Sequence, residues 1–196
     1  MTNIQDEWVT NETMRGKVVL YNFVYTNCGA SCDNLMTKIQ TVWQQLDSDD
    51  VPVEFVTITI DPERDSPSVL AKYAETYALT STVETVPWHF LREEDPKRVR
   101  IMVSSGFDFY YEKVVETDGS YHYKFVPMIV LIDAWGIIRS EYRQYEVDKL
   151  RFSDSPDIDP NVILRDIGLV TQEIRNSTGV AASAYEAAHL FSCYPP

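Results

Sequence analysis

The stretch GKVVLYNFVYTNCGASCDNL, residues 16–35, decides how the chain is read. Its first half is an almost unbroken apolar and β-branched run, as a strand buried on both faces should be. Its second half sets Cys28 and Cys32 four residues apart. Leu35, Ile39, Val42, Trp43 and Leu46 then recur at helical spacing. A pair of thiols thus stands where a buried strand runs into an amphipathic helix. Such a pair is a disulfide, a metal clamp, or two inert buried cysteines, and the strand-to-helix position counts against the last. Near a helix start, residues four apart lie on one face about one turn from each other. The N–H groups and partial positive charge of the helix N-terminus favour thiolate there. Gly29, Ala30 and Ser31 are small and leave the sulfurs uncovered. Cys28, nearer the helix start, is expected to be the attacking thiol and Cys32 the resolving one.

Working outward, VPVEFVTITI (51–60) reads as a second buried strand. DPERDSPSVLAKYAETYAL (61–79) begins a helix that Asp65 or Ser66 can cap, with Pro67 in its first turn, where a missing N–H costs nothing. VPWHFLR (86–92) predicts a short strand, and DPKRVRIMVSSGF (95–107) a short helix ending near Gly106. The segment 107–126 alternates on either side of Asp118-Gly119, which signals a hairpin. MIVLIDAWGIIRSEYR (128–143) gives a buried strand, a turn at Gly136 and another strand, and 159–175 a last amphipathic helix. Alternating strands and helices imply parallel pairing with crossovers, and the later hairpin implies antiparallel neighbours. The fold expected is α/β: a thioredoxin-like arrangement, a mixed central sheet flanked by helices with an inserted β-hairpin. One domain is expected over residues 1–175, with 176–196 as a tail.

The 196 residues carry a net charge of −13, with 44% hydrophobic and 24% charged residues, as in a globular protein. The acidity argues against nucleic acid, whose phosphates need Lys and Arg, and against an anionic membrane surface. It suits a basic protein partner or simple solubility. MTNIQDEWVT lacks the basic and apolar regions of a signal peptide, and no run nears the ~18 apolar residues of a membrane helix. Three cysteines are too few for a disulfide scaffold.

GKVVLYNFVYTNCGASC, followed about thirty residues later by VTITIDPERDSP and then by the weaker block WHFL (88–91), resembles the SCO1/SenC family. The resemblance runs in order over about residues 8–175. It implies a thioredoxin-like domain tethered by an N-terminal helix on the periplasmic or intermembrane-space side of a membrane. The implied work is assembly of the CuA centre of cytochrome c oxidase, as a copper carrier, as a thiol–disulfide reductant, or both. Implied partners are a cytochrome c oxidase subunit or another membrane respiratory complex, and a disulfide-bearing protein substrate. The family's copper ligands are the two cysteines of C-x-x-x-C, here Cys28 and Cys32, and one distant histidine.

That histidine is missing. Alignment on LIDAWG (131–136) puts Phe125 at its position. Two thiolates suffice for soft Cu(I), whereas Cu(II) loses its nitrogen ligand. His122 is a weak substitute, because an odd offset along a strand points to the opposite face unless a bulge intervenes. His89 reads as a structural histidine, and His189 lies in the tail. A second departure is Val126-Pro127 just before the strand at 128. Two readings stay open there: a cis-proline set against the dithiol, with Val126 offering backbone groups to a substrate, or a trans proline at a strand's first residue. Together, losing the histidine and gaining the proline point toward a dithiol reductase.

DPERDSP is expected to form a hydrogen-bonded turn near the site. Tyr25 and Asn27 flank the dithiol. The aromatic hairpin residues are expected to pack, and become a partner surface only if exposed. Cys193 is a lone third thiol, and NET (11–13) and NST (176–178) match glycosylation sequons. A structural subunit of a respiratory or photosynthetic membrane complex is a third functional possibility.

Overall fold

The computed structural model describes residues 1–46, 52–77, 86–144 and 158–177. His189 and Cys193 lie outside the described residues, as does nearly all of the expected tail.

The first buried run forms β2 (Val18–Val24) at the middle of a six-stranded sheet. It pairs in parallel with β3 (Val53–Thr59) and antiparallel with β7 (Met128–Ile132). Beyond β3 lies β4 (Trp88–Arg92), parallel, and then the two-residue β1 (Thr2–Asn3), antiparallel. On the other side β8 (Ile138–Arg143) pairs antiparallel with β7. The mixed sheet expected from the element order is therefore present. β1 and the single-turn α1 (Asn11–Met14) were not foreseen, because four polar or edge residues carry no readable period.

Period-two alternation sorts the side chains into two cores. Val18, Leu20 and Val24 face one way, with Ile129 and Leu131 of β7. They meet α2 (Ala30–Gln45), α3 (Pro67–Tyr77) and α5 (Pro160–Asn176) through Leu35, Met36, Ile39, Ala74, Ile163 and Ile167. Val19, Phe23, Val56, Ile58 and Val130 face the other way, against Val99 and Val103 of α4 (Pro96–Phe107) and the hairpin. Burying both faces is what makes these strands read as continuous apolar runs. Asn22 and Thr57 interrupt the first core. Each is satisfied: the Thr57 hydroxyl donates to Asn22 Oδ1 at 2.7 Å, and Trp88 Nε1 donates to Thr57 Oγ1 at 2.9 Å. Unpaired, such buried groups would each cost about 1–3 kcal/mol.

The hairpin consists of β5 (Tyr111–Val115) and β6 (Tyr121–Phe125), a separate two-stranded sheet. Its turn closes with Gly119 N–H donating to Glu116 O at 3.1 Å and Glu116 N–H to Ser120 O at 2.8 Å. Gly119 takes φ +84°, the left-handed conformation this loop requires and glycine supplies without strain. Tyr111 and Tyr123 are buried, so the aromatic hairpin packs as expected; Tyr110, at its edge, is exposed.

Candidate functional site

Cys28 and Cys32 are joined by a disulfide, with their Cα atoms 5.7 Å apart. They straddle the start of α2. Cys28 stands just before the N-cap Gly29, and Cys32 lies in the first turn. The expectation of two cysteines on one helical face is thus corrected: only Cys32 is helical. Gly29 makes the join possible, with φ +73°, ψ −151°, a region a side chain would strain. Its carbonyl accepts from Asp33 N–H at 3.1 Å, and Cys28 N–H donates to Tyr25 O at 3.1 Å. Cys32 is buried while Cys28 is half-buried. Of the two, Cys28 is the more exposed to solvent.

The DPERDSP loop sits beside this pair and binds it to the rest of the fold. Asp65 is fully buried and does not cap α3; Ser66 does, its hydroxyl accepting from Val69 N–H at 3.4 Å. Asp65 turns inward because three donors wait there. Thr26 N–H reaches it at 3.1 Å, the Thr26 hydroxyl at 2.6 Å, and the Thr59 hydroxyl donates to the same carboxylate. Burial pushes its carboxyl above the usual aspartate range; the threonine hydrogen bonds oppose this only in part, and the neighbouring Asp61 adds to it.

Asp61, also fully buried, accepts from Arg64 and from the Tyr121 hydroxyl at 3.0 Å. Arg64 in turn donates to Tyr121 O at 2.9 Å, and its guanidinium lies 3.7 Å from the Tyr121 ring centre. Lys113 Nζ lies at the same 3.7 Å from that ring and pairs with Glu63 at 2.6 Å. The hairpin is clamped to the loop after β3 by these charges and rings. Burial, and then the nearby Asp61, raise the Tyr121 and Tyr123 hydroxyls well above the usual tyrosine range, so both stay protonated donors.

Phe125 ends β6 and, like Cys28, borders both apolar cores. Its ring lies 5.6 Å from Phe109 and 6.2 Å from Tyr25. The position expected to hold a nitrogen ligand is thus packed among aromatic rings. His122 does not replace it. Its Nδ1 lies 3.1 Å from Glu116 at the hairpin turn. His89 is bound to Glu54 at 3.0 Å, the structural role expected of it. Among the described residues no group of three or more His, Cys, Asp or Glu side chains is placed to hold one ion.

The cis-proline reading is overturned: the Val126–Pro127 peptide is trans. Only two residues join β6 to β7. An ordinary trans bond carries the chain across, and a proline immediately before a strand gives up no ladder hydrogen bond. Pro127 O accepts from Gln144 N–H at 2.9 Å, and Pro127 itself is buried.

Thr26 and Thr59 are the site residues that sequence reasoning missed. Their signal was a polar residue at the end of β3 (Thr59) and another two residues past the end of β2 (Thr26), directly beside the two motifs.

A family model described as SCO1/SenC matches residues 1–155. The SCO1 protein homolog of Bacillus subtilis is 31% identical over 72 residues, 37% of this chain and 37% of that protein's length. The copper-bound structure of yeast Sco1 superposes with TM-score 0.68 at 17% identity, covering 98% of this chain and 95% of that one. Copper-bound ScoI of Bradyrhizobium japonicum gives TM-score 0.65 at 24% identity, covering 86% and 94%. The fold is thioredoxin-like, with the cysteine pair at the junction of β2 and α2.

Proposed function

The chain belongs to the SCO1/SenC family, and on that premise we propose that it is a SCO-type assembly factor for the CuA centre of cytochrome c oxidase, working through Cys28 and Cys32. What carries this is the dithiol itself: one sulfur half-exposed, one buried, close enough to bond, at the head of a helix. Reduced to two thiolates, the pair fits Cu(I), a soft ion that accepts sulfur and low coordination. Copper is the cargo, received and passed on by exchange of thiolates between donor and acceptor. The donor set does not fit Cu(II), which prefers nitrogen, because Phe125 supplies none.

That observation favours a second use of the same atoms. The Cys28 thiolate attacks a disulfide of a partner protein, forming a mixed disulfide and releasing one partner thiolate. Cys32 then attacks Cys28 Sγ, releases the second partner thiolate and closes the Cys28–Cys32 bond. Two electrons pass from the dithiol to the partner. Both uses call for an extracytoplasmic, membrane-tethered setting. One relative in the fold comparison is a SCO1/SenC family lipoprotein from Bacillus anthracis, and among the described residues no helix here is long and apolar enough to cross a membrane.

The test is an anaerobic Cu(I) titration of the reduced protein against a competing chelator, beside Cys28→Ser and Phe125→His. One-to-one binding that vanishes in Cys28→Ser supports carriage. No binding by the wild type, restored by Phe125→His, replaces carriage with the reductase.

A further inference from the structure

We infer that Asp65 is a positioning residue for the dithiol: it pins the loop carrying Cys28 to the end of β3, and so sets how readily the Cys28–Cys32 bond opens and closes. The inference rests on the proposal that this pair is redox-active.

Cys28 belongs to a short turn, residues 25–29, that leaves β2 and enters α2. Within it, Cys28 N–H is tied to Tyr25 O. Two anchors fix the turn to other elements. One is the Tyr25 hydroxyl, which accepts from Tyr123 N–H at 3.3 Å. The other is Asp65, thirty-nine residues further along the chain, which takes both the backbone N–H and the hydroxyl of Thr26, two positions before Cys28. The same carboxylate accepts from Thr59, the last residue of β3. One side chain thus ties the cysteine turn to the sheet.

All three of these donors are uncharged. A fully buried carboxylate held this way is a costly means of filling space. Its location, beside the dithiol and not in the body of the core, is where such a cost is matched by function. With the disulfide open, covalent closure is lost. The tendency to re-form it is then an effective concentration, set by how narrowly Cys28 is held against Cys32. Freeing Thr26 widens that distribution and makes the disulfide easier to reduce.

The experiment equilibrates the protein with a dithiothreitol or glutathione redox buffer, traps thiols by alkylation, and compares wild type, Asp65→Ala, Asp65→Asn and Thr26→Val. Thermal melts of the oxidised forms run in parallel. Asp65→Ala is expected to shift the equilibrium about tenfold toward the dithiol, roughly 30 mV for a two-electron couple. Thr26→Val, which removes one of the three bonds, is expected to shift it about threefold, and Asp65→Asn, which keeps an acceptor oxygen, to recover part of the loss. Variants that melt earlier while their equilibria stay with wild type overturn the assignment, since Asp65 is then only structural. Should Asp65→Ala fail to fold, Thr26→Val decides on the same criterion. A wild-type disulfide that neither buffer opens overturns the redox proposal, and this assignment with it. A wild type that opens while the variants are unshifted overturns this assignment alone.

Discussion

The two ends of β3 bury carboxylates by opposite means. At its start, Glu54 lies between Lys17 Nζ at 2.6 Å and His89 Nε2 at 3.0 Å, so a lysine cation and an imidazole answer the charge. At its finish, Asp65 is answered by threonine donors, and Asp61 by Arg64 and a tyrosine hydroxyl. The carboxyl groups respond in opposite directions. Burial pushes Glu54 up, but hydrogen bonds and charge from His89 and Lys17 outweigh it and hold the group below its usual range. Burial wins at Asp65, which lies above its own. The carboxylate away from the dithiol has Lys17 beside it, whereas Asp65, near the dithiol, is met by uncharged donors alone.

The hardest blow to this contrast is Asp61→Ala. It strips Arg64 of its carboxylate, leaves the Tyr123 hydroxyl without the acceptor it has at 3.4 Å, and leaves the Tyr121 hydroxyl only the longer contact to Glu63 at 3.4 Å. Removing one partner of a buried pair costs 3–5 kcal/mol; Arg64 keeps some contact with solvent, so ~3 kcal/mol is expected in urea unfolding. A cost below that of Glu54→Ala would mean that the dithiol end is not the more sensitive of the two.

Glu54→Gln sharpens the contrast through pH. Because the folded value is lowered, Glu54 contributes stability above the ordinary glutamate value of 4.5 and loses it as pH falls through the folded value. The gap between wild type and Glu54→Gln, about 1–2 kcal/mol at pH 7, should therefore close on acidification. Asp65, raised, has the reverse sign: its contribution is present below the ordinary aspartate value of 3.8 and is lost as pH rises through the folded value. Unfolding of wild type and Glu54→Gln from pH 7 to pH 3 measures the first. A gap that stays constant would mean that it does not arise from the ionisation of Glu54.

Much of this was legible before the structure. The strand runs at 16–25 and 51–60 could be read because both faces of β2 and β3 are buried, so no polar alternation blurred them. Cys28 and Cys32 could be read because the strand, the turn and the helix stripe are contiguous. The Asp65 contact was not legible. It joins residues thirty-nine apart, and Asp65 stands where a helix cap would also stand, so local pattern favoured the cap. The proline stayed undecided for a related reason. Its isomer depends on how the hairpin feeds β7, a tertiary matter that no local pattern records.

The smallest effect expected is at His122, which belongs to neither end of β3 and calibrates both. Its pair with Glu116 is open to solvent, with side-chain exposures of 41% and 52%. Such pairs are screened by water and salt and contribute little. His122 shares β6 with Phe125 but lies three residues away, opposite Val114 near the turn, whereas Phe125 lies opposite Tyr111 at the strand's other end. Side chains at an odd separation on a strand leave opposite faces, so no rotamer change alone carries the imidazole to the sulfurs. His122→Ala should change unfolding free energy by less than about 0.5 kcal/mol. It should also leave Cu(I) affinity where wild type has it. A clear loss of affinity would mean that the hairpin turns over to bring His122 against Cys28 and Cys32, and that the clamp holding Tyr121 to Arg64 opens when metal arrives.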